Sequence, residues 1–178
     1  MRNLLRQQTA DQSRIFFIKH MAHHLVEMGL GFLRSTLNIF LLRDPREMLP
    51  SLTVQLPMAK LFDTGLQQQW ELYSDLSRAG QCPAVLDSRE LLLNPEGVLR
   101  RLCAHLNIDF NRDMLTWEAG ARAEDGIWAP HWYHAVHKST GFAPYETKTD
   151  FPAHLQPLLD DCSPWYEKLY EQALSASA

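Results

Sequence analysis

The stretch that decides the fold is Leu37-Asn38-Ile39-Phe40-Leu41-Leu42-Arg43-Asp44-Pro45-Arg46-Glu47-Met48-Leu49-Pro50-Ser51. Its first half is a short apolar run that ends at a charged residue, which is typical of a strand covered on both faces of a parallel sheet. Asp44-Pro45 then supplies a capping side chain and a proline for the first turn of a helix. We therefore expect a strand that leads through Arg43 into a helix.

Two other segments, residues 14–19 and 83–88, have the same short apolar composition and are predicted as strands. Helical patterns lie between and after them. One helix is predicted from apolar side chains at spacings of three and four that stop before Gly80. Two more are predicted to begin at Asn94-Pro95-Glu96 and at Ser163-Pro164. The alternation of strands and helices predicts an α/β fold, a parallel sheet flanked by helices.

Composition favours one soluble domain. The chain has 178 residues, 17 basic and 21 acidic side chains, a net charge of −4 and 46% hydrophobic residues. This length suits a single domain over residues 1–178, within which residues 120–157, rich in Trp, His, Gly and Pro, form a long irregular loop region. The mild negative charge argues against a nucleic-acid partner bound by a broad basic face. No apolar run approaches the roughly 18–20 residues that span a bilayer, so no membrane span is expected.

Cysteine usage indicates a cytoplasmic location. Cys82, Cys103 and Cys162 are odd in number, widely spaced and without a Cys-x-x-Cys pair. We therefore predict buried, reduced thiols of a cytoplasmic protein rather than a disulfide framework. The first residues also lack the long apolar core of a signal peptide.

Arg43 stands where a parallel α/β sheet binds its ligands, at the carboxyl end of a strand. Its planar guanidinium group is suited to a phosphate. Ser51, eight residues later, could reach the same anion from the second turn of the helix, whose first amides add positive potential. The alternative is that Arg43 and Asp44 only cap the helix and pair with each other. Spacing alone does not separate these interpretations.

This segment of strand, Arg-Asp-Pro and serine resembles the 3′-phosphate-binding element of the P-loop sulfotransferases. Two other segments resemble the same family, in the expected order. Phe16-Phe17-Ile18-Lys19-His20 is similar to the strand whose end carries the catalytic base. Residues 85–108 are similar to a strand, an acidic loop, an Asn-Pro pair and a leucine-rich helix. The resemblance, which points to bacterial and plant sulfotransferase-like proteins, extends from about Ile15 to Tyr170.

The resemblance implies a three-layer fold of the P-loop nucleotide-hydrolase and sulfotransferase type. It also implies a reaction, the transfer of a sulfuryl group from 3′-phosphoadenosine 5′-phosphosulfate to a hydroxyl or amine of a small-molecule acceptor. Arg43 and Ser51 would bind the 3′-phosphate of this co-substrate. Lys138, from the late loop, would close over the same phosphate, with Ser139 and Thr140 as neutral donors. No metal is expected.

The beginning of the chain departs from the family. The opening strand and the loop of Gly and Ser/Thr residues that grips the 5′-phosphosulfate have no counterpart before Ile15. Gly29-Leu30-Gly31 is followed by no Gly-Lys-Ser/Thr and is more typical of a helix-ending turn. We therefore expect an incomplete, amino-terminally truncated domain that lacks its first strand and P-loop and depends on that segment for activity. A sheet edge left uncovered there would favour a homo-oligomer.

Six of the eight histidines fall in two clusters, His20, His23 and His24 in the first and His131, His134 and His137 in the second. A general base needs an imidazole beside the acceptor. His20, just past the predicted strand, is the first candidate for this base, and His24 is the second. Metal binding is an alternative, because His20 and His24 are four residues apart and could share a helical face. In a third interpretation these rings only pack or lie on the surface.

The late loop is also aromatic, with Trp128, Trp132, Tyr133, Phe142 and Tyr145. These rings either line an acceptor pocket, stack on adenine or belong to the core. Three functions stay open: a sulfotransferase, a non-catalytic nucleotide-binding or interaction module derived from one, and a metal-binding protein built on the histidine clusters. No pattern in the sequence identifies the acceptor.

Overall fold

A computed structural model of the chain describes residues 15, 17–25, 30–122, 125–126, 129, 133–147 and 150–175. In this part of the chain, two parallel strands are packed among helices. The predicted mixed α/β class is therefore confirmed. None of the helices in the described ranges is both long and apolar enough to cross a membrane.

The sheet consists of β1 (Ile39–Leu42) and β2 (Ala84–Asp87), which pair in parallel with Leu42 beside Asp87. Both strands lie inside runs predicted from the sequence. Every residue of β2 is buried, whereas β1 leaves Leu41 exposed. The burial of all four β2 residues reflects helices on both faces of this strand.

The strand predicted for residues 14–19 is wrong in the part that the structure describes. Residues 15 and 17–20 take no strand conformation, and the side chains of Ile15 and Phe17 are exposed. Residues 14 and 16 lie outside the described residues. An apolar run becomes a strand only where a neighbouring strand takes up its backbone hydrogen bonds. In the described sheet, β1 pairs with β2 alone.

Three helices connect the two strands, namely α1 (Pro45–Gln55), α2 (Leu61–Thr64) and α3 (Leu66–Arg78). α1 begins as predicted, because the Asp44 carboxylate caps it by accepting a hydrogen bond from the Arg46 N–H at 2.8 Å. α3 also confirms its prediction, and Gly80 follows it with a φ of 84° that a side chain would strain. The chain then turns into β2.

Two helices follow β2 directly, α4 (Ser88–Leu93) and α5 (Pro95–Leu106). α5 starts at the predicted position, and the Asn94 side chain accepts a hydrogen bond from the Gly97 N–H at 2.9 Å. The Asn-Pro pair therefore acts as a helix start, as its capping chemistry predicts.

The last helix, α6 (Gln156–Tyr170), begins earlier than predicted, so the start assigned to Ser163-Pro164 is wrong. Pro164 lies inside the helix, where it removes one backbone hydrogen bond. Leu159 and Cys162, upstream of it, are fully buried. Their burial requires the helix to extend in that direction and outweighs the cost of the proline.

Helices cover both faces of the sheet. On one face, α3 and α6 enclose a cluster of Phe40, Leu42, Leu76, Val85 and Leu169. On the other face, α5 completes a cluster of Ala84, Leu86, Val98 and Leu102. A third cluster joins α1 and α3 to α6 and contains Leu49, Leu66, Leu155, Leu159 and Cys162. These contacts fix the carboxyl ends of the strands relative to the helices that begin there.

The three cysteines are free, as predicted. Cys103 and Cys162 are buried, but Cys82 is exposed, so its predicted burial is wrong. Cys82 belongs to the short connection between α3 and β2, outside the apolar faces of both elements. A cysteine in a surface connection has no core to enter.

We expect Leu49→Ala to lower the free energy of unfolding by about 2–5 kcal/mol, because the fully buried Leu49 fills the space between α1 and α6. The matched control is Leu41→Ala in β1. The Leu41 side chain is 60% exposed, so its loss should cost less than about 1 kcal/mol. Urea unfolding followed by circular dichroism measures both values, and equal losses would contradict this description of the core.

Candidate functional site

The carboxyl ends of β1 and β2 form one edge of the sheet. Because the strands are parallel and Leu42 lies beside Asp87, Arg43 and Ser88 leave the sheet side by side. α1 and α4 both begin here. Ligands of open α/β sheets bind at such an edge. We call this region, Arg43-Asp44 together with Asp87-Ser88, the carboxyl edge.

Arg43 is the first residue after β1, and its side chain is 45% exposed. Its Nε atom lies 3.8 Å from Oε2 of Glu47, one helical turn further along the chain. Asp44 caps α1 instead of pairing with Arg43. The pairing of Arg43 with Asp44, considered from the sequence, is therefore replaced by an Arg43–Glu47 pair. Within the described residues, the Nη atoms of Arg43 make no hydrogen bond or ion pair, and nearly half of the side chain is exposed.

Ser51 lies in the second turn of α1, as predicted, and is exposed. Its hydroxyl donates to the Met48 carbonyl at 2.8 Å. A hydroxyl has a single proton, so donation to a phosphate would require Ser51 to give up this internal hydrogen bond. Serine at this position is thus available to an anion, but it is not pre-oriented toward one.

Glu47 joins Arg43 to the late loop. Its Oε1 atom accepts a hydrogen bond from the Tyr145 hydroxyl at 2.5 Å. The guanidinium of Arg89, at the start of α4, lies 5.8 Å from the centre of the Tyr145 ring. The hydrogen bond to Glu47 raises the pKa of Tyr145 above its usual value, because the neighbouring carboxylate disfavours the phenolate. Tyr145 is therefore a neutral donor fixed above the carboxyl edge.

Asp87, the last residue of β2, is fully buried and caps α4. Its Oδ1 accepts from the Arg89 N–H at 2.8 Å, and its Oδ2 accepts from the Tyr166 hydroxyl of α6 at 3.0 Å. Burial raises the pKa of Asp87, and the same burial together with the Asp87 charge raises the pKa of Tyr166. Because its side chain is fully buried and hydrogen-bonded to α4 and α6, Asp87 supports the edge from within the fold.

Two of the late-loop residues predicted to bind phosphate, Ser139 and Thr140, are hydrogen-bonded to Trp117, which precedes the loop. The Ser139 hydroxyl accepts from the Trp117 indole N–H at 2.9 Å and donates to the Val136 carbonyl at 2.7 Å. The Thr140 carbonyl accepts from the Trp117 backbone N–H at 3.1 Å. Lys138 ends a 3₁₀ turn and is exposed. Ser139 is thus a structural residue in this conformation, whereas Lys138 remains accessible.

The structure does not join these late-loop residues to the first half of the predicted site. No hydrogen bond or ion pair among the described residues links Lys138 or Thr140 to Arg43 or Ser51. The loop does reach the carboxyl edge a few residues later, through Tyr145 and its bond to Glu47. The connection between the two halves therefore runs through residues that the sequence did not assign to phosphate binding.

The candidate bases His20 and His24 are exposed. The ring of His20 lies 6.4 Å from that of Phe32, and the ring of His24 lies 4.3 Å from that of His23. In the described part of the chain, neither His20 nor His24 contacts Arg43. The predicted role of each as a base therefore stays a prediction.

His23 is the member of this cluster that the fold encloses. A side chain at Gly65, between α2 and α3, would come within 3.4 Å of its Nδ1 atom, and Gly65 itself has a φ of 71°. Burial, with His24 beside the ring, lowers the pKa of His23, although the nearby Asp63 opposes this shift. A glycine between two helical patterns is the sequence signal for such a close approach.

The second histidine cluster contains one defined pair. The Nε2 atom of His137 lies 2.8 Å from Oδ2 of Asp125, and the same carboxylate oxygen accepts from the Arg122 N–H at 2.9 Å. His131, Trp128 and Trp132 lie outside the described residues. Among the residues that are described, no group of three or more His, Cys, Asp and Glu side chains is placed to hold a metal ion. The His137–Asp125 pair instead ties two parts of the late loop together.

Residues 4–173 match the protein family described as sulfotransferase domain, and the chain therefore belongs to that family. This confirms the resemblance inferred from the strand, Arg-Asp-Pro and serine. Two Arabidopsis thaliana proteins are similar to the chain. Branched-chain-amino-acid aminotransferase-like protein 2 is 39% identical over 155 residues, which are 86% of this chain and 28% of that protein. Branched-chain-amino-acid aminotransferase-like protein 1 is 41% identical over 142 residues, 79% of this chain and 25% of that protein.

The chain thus spans about a quarter of the length of these curated relatives. No solved structure matches it significantly. The family assignment rests on the match over most of the chain, and the arrangement of Arg43, Glu47 and Tyr145 rests on the structure described above.

We expect the Asp87→Asn variant to change how stability depends on pH. The pKa of Asp87 is raised in the folded state above the ordinary aspartate value of about 4. At pH values between these two pKa values, Asp87 is protonated in the folded protein and ionised in the unfolded chain. Wild-type stability should therefore fall as pH rises through this window, whereas the amide of the variant does not titrate.

Urea unfolding of both proteins at pH 4 and at pH 7 tests this. From pH 4 to pH 7, the free energy of unfolding of the variant is expected to rise relative to that of the wild type. The asparagine keeps a side-chain oxygen that can cap α4. If the difference in free energy of unfolding between the two proteins is the same at both pH values, the raised pKa of Asp87 is contradicted.

Proposed function

We propose that the chain binds 3′-phosphoadenosine 5′-phosphosulfate at the carboxyl edge and belongs to a machinery that transfers its sulfuryl group to a hydroxyl or amine of a small molecule. The observation that carries this proposal is Arg43, which follows β1 at the carboxyl edge with a side chain that is 45% exposed. Membership of the sulfotransferase domain family supplies the chemical class of ligand.

The geometry around Arg43 suits a phosphate. Glu47 occupies the Nε side of the guanidinium at 3.8 Å, which leaves the two terminal nitrogens for a bidentate contact. The amino-terminal end of α1 adds positive potential at the same edge. It adds no free backbone N–H group, because Pro45 has none, the Arg46 N–H donates to the Asp44 carboxylate, and those of Glu47 and Met48 donate to the Asp44 carbonyl. Ser51 and Lys138 are the further donors that we assign to the 3′-phosphate, with Ser139 and Thr140 beside Lys138 in the late loop.

The transfer step needs a proton acceptor as well as an anion clamp. The acceptor hydroxyl or amine would attack sulfur, the bond from sulfur to the bridging phosphate oxygen would break, and 3′,5′-adenosine bisphosphate would leave with the bond electrons. The acceptor proton would pass to a general base, for which His20 and His24 are the candidates. Charge on the leaving phosphate is what such a site must neutralise.

A non-catalytic binding module is the second candidate function. It is favoured by the environment of the two histidines, since within the described residues neither His20 nor His24 has a hydrogen-bond partner that would orient its ring. An effective general base is normally held by a second group. Such a module would keep the Arg43 half-site and bind the nucleotide without transferring sulfuryl.

We expect 3′,5′-adenosine bisphosphate to bind the wild-type chain, and Arg43→Ala to weaken this binding by about tenfold or more, the effect of losing charged hydrogen bonds to a phosphate. Ser51→Ala should weaken it less, by about twofold to tenfold, because a neutral hydrogen bond is lost. Isothermal titration calorimetry at fixed salt concentration measures the dissociation constants.

Arg78→Ala is the matched control for this experiment. Arg78 is an exposed arginine at the end of α3, where it pairs with Asp75 at 2.6 Å, so its loss should leave nucleotide affinity unchanged. No binding by the wild-type chain at millimolar nucleotide, or equal losses in the Arg43 and Arg78 variants, would refute a nucleotide site at Arg43.

Transfer of a radiolabelled sulfuryl group separates the two functions. An enzyme is expected to give labelled product with at least one acceptor from a panel of hydroxyls and amines. This product should be lost in either His20→Ala or His24→Ala. Nucleotide binding without labelled product from the chain alone would favour the binding module. The same assay with a chain extended upstream then tests whether a supplied amino-terminal segment restores transfer.

A further inference from the structure

One carboxylate near the carboxyl edge is shared by two elements that are far apart in the chain. Oε1 of Glu47 accepts from the Tyr145 hydroxyl at 2.5 Å, across 98 residues of sequence. Oε2 of the same side chain lies 3.8 Å from Nε of Arg43. The Glu47 side chain is only 13% exposed, whereas that of Arg43 is 45% exposed. Glu47, the less exposed of the two side chains, therefore fixes one side of Arg43.

Tyr145 is itself held from a second direction. Its ring lies beneath the Arg89 guanidinium at 5.8 Å, and a few residues later the Phe151 ring lies 5.8 Å from the guanidinium of Arg46. Contacts of an arginine with an aromatic face are attractive and well oriented. Tyr145 and Phe151 thus contact the starts of α4 and α1, and the contact with Arg89 helps to hold the Tyr145 ring while its hydroxyl donates to Glu47.

The direction of the Glu47 contact decides which donors of Arg43 remain open. A carboxylate at Nε leaves Nη1 and Nη2, the pair with the spacing of two phosphate oxygens. A carboxylate free to rotate could instead lie across those two nitrogens and compete with an anion. The Tyr145 hydroxyl opposes this rotation because it holds Oε1 by a hydrogen bond, while Oε2 is the oxygen nearest to Arg43.

We infer that Glu47 and Tyr145 are positioning residues for Arg43, and that together they hold its guanidinium with the Nη pair directed outward for an anionic ligand. This inference rests on the proposed function for the identity of the ligand, a nucleotide phosphate. It adds a role for the late segment, which would reach the phosphate site indirectly through Tyr145 and Glu47 as well as through the predicted Lys138.

The test is a double-mutant cycle built from Glu47→Gln, Tyr145→Phe and the double variant. Tyr145→Phe removes the hydroxyl but keeps the ring under Arg89, and Glu47→Gln keeps the shape of the side chain without its charge. Each single change should raise the dissociation constant for 3′,5′-adenosine bisphosphate by about threefold to tenfold. The double variant should have a dissociation constant no higher than that of the single variant that binds the nucleotide more weakly. This is expected because the two residues act through one contact.

Tyr73→Phe is the matched control. The Tyr73 hydroxyl makes one exposed hydrogen bond, to Gln172 at 3.3 Å, so its loss should leave nucleotide affinity unchanged. Fully additive losses in the cycle would overturn the inference. Tighter nucleotide binding by Glu47→Gln would also overturn it, since Glu47 would then be a competitor of the phosphate instead of a positioning residue.

A readout without nucleotide separates this inference from the proposed function. In ¹⁵N NMR spectra, the Nε–H resonance of Arg43 should move in Tyr145→Phe and stay in place in Tyr73→Phe. The pKa of Tyr145, followed by ¹³C NMR of the ring, should fall toward its usual value in Glu47→Gln, because the charge that raises it is gone.

If the wild-type chain binds no nucleotide but these resonances respond as expected, the proposed function fails and the positioning of Arg43 by Tyr145 and Glu47 stands. An Arg43 resonance that is indifferent to Tyr145→Phe shows that the hydroxyl does not position the guanidinium. That result would overturn the inference whatever the nucleotide titration gives.

Discussion

Leu42 in β1 lies beside Asp87 in β2, and this parallel pairing decides where a site can form. It brings the ends of two strands together, so that Arg43 leaves the sheet next to the start of α4. Helices on both faces hold the pairing through apolar clusters. A slip of one residue would turn every side chain of a strand to the opposite face and separate Arg43 from its surroundings.

Two tyrosines from the later part of the chain secure the acidic groups of this edge. Tyr166 donates to the buried Asp87, and Tyr145 donates to Glu47. In each case a carboxylate that would be costly to enclose without a partner receives a hydrogen bond. The two carboxylates differ in what else they hold, because Asp87 caps α4 whereas Glu47 pairs with the exposed Arg43. Both carboxylates are therefore supported from within the fold, and Arg43 stays exposed at the edge.

Local chemistry accounts for the parts of the fold that could be predicted. Asp44-Pro45 and Asn94-Pro95 start helices because their caps act within three residues. The segment 14–19 was predicted as a strand on the same kind of apolar signal, but its described residues have no pairing neighbour. The early start of α6 likewise depended on burial of Leu159 and Cys162, which a local proline signal does not reveal.

The sequence by itself determined the family and the position of Arg43 between a strand and a capped helix. A strand that runs into Arg43 and a capped helix is a local pattern, and the family match over residues 4–173 agrees with it. The i to i+4 spacing of Arg43 and Glu47 was also visible in principle. Only the tertiary structure decided that Tyr145 donates a hydrogen bond to Glu47 and that the Ser139 hydroxyl accepts one from Trp117. These contacts join segments whose distance in the chain carries no periodic signal, so they follow from packing and not from local preference.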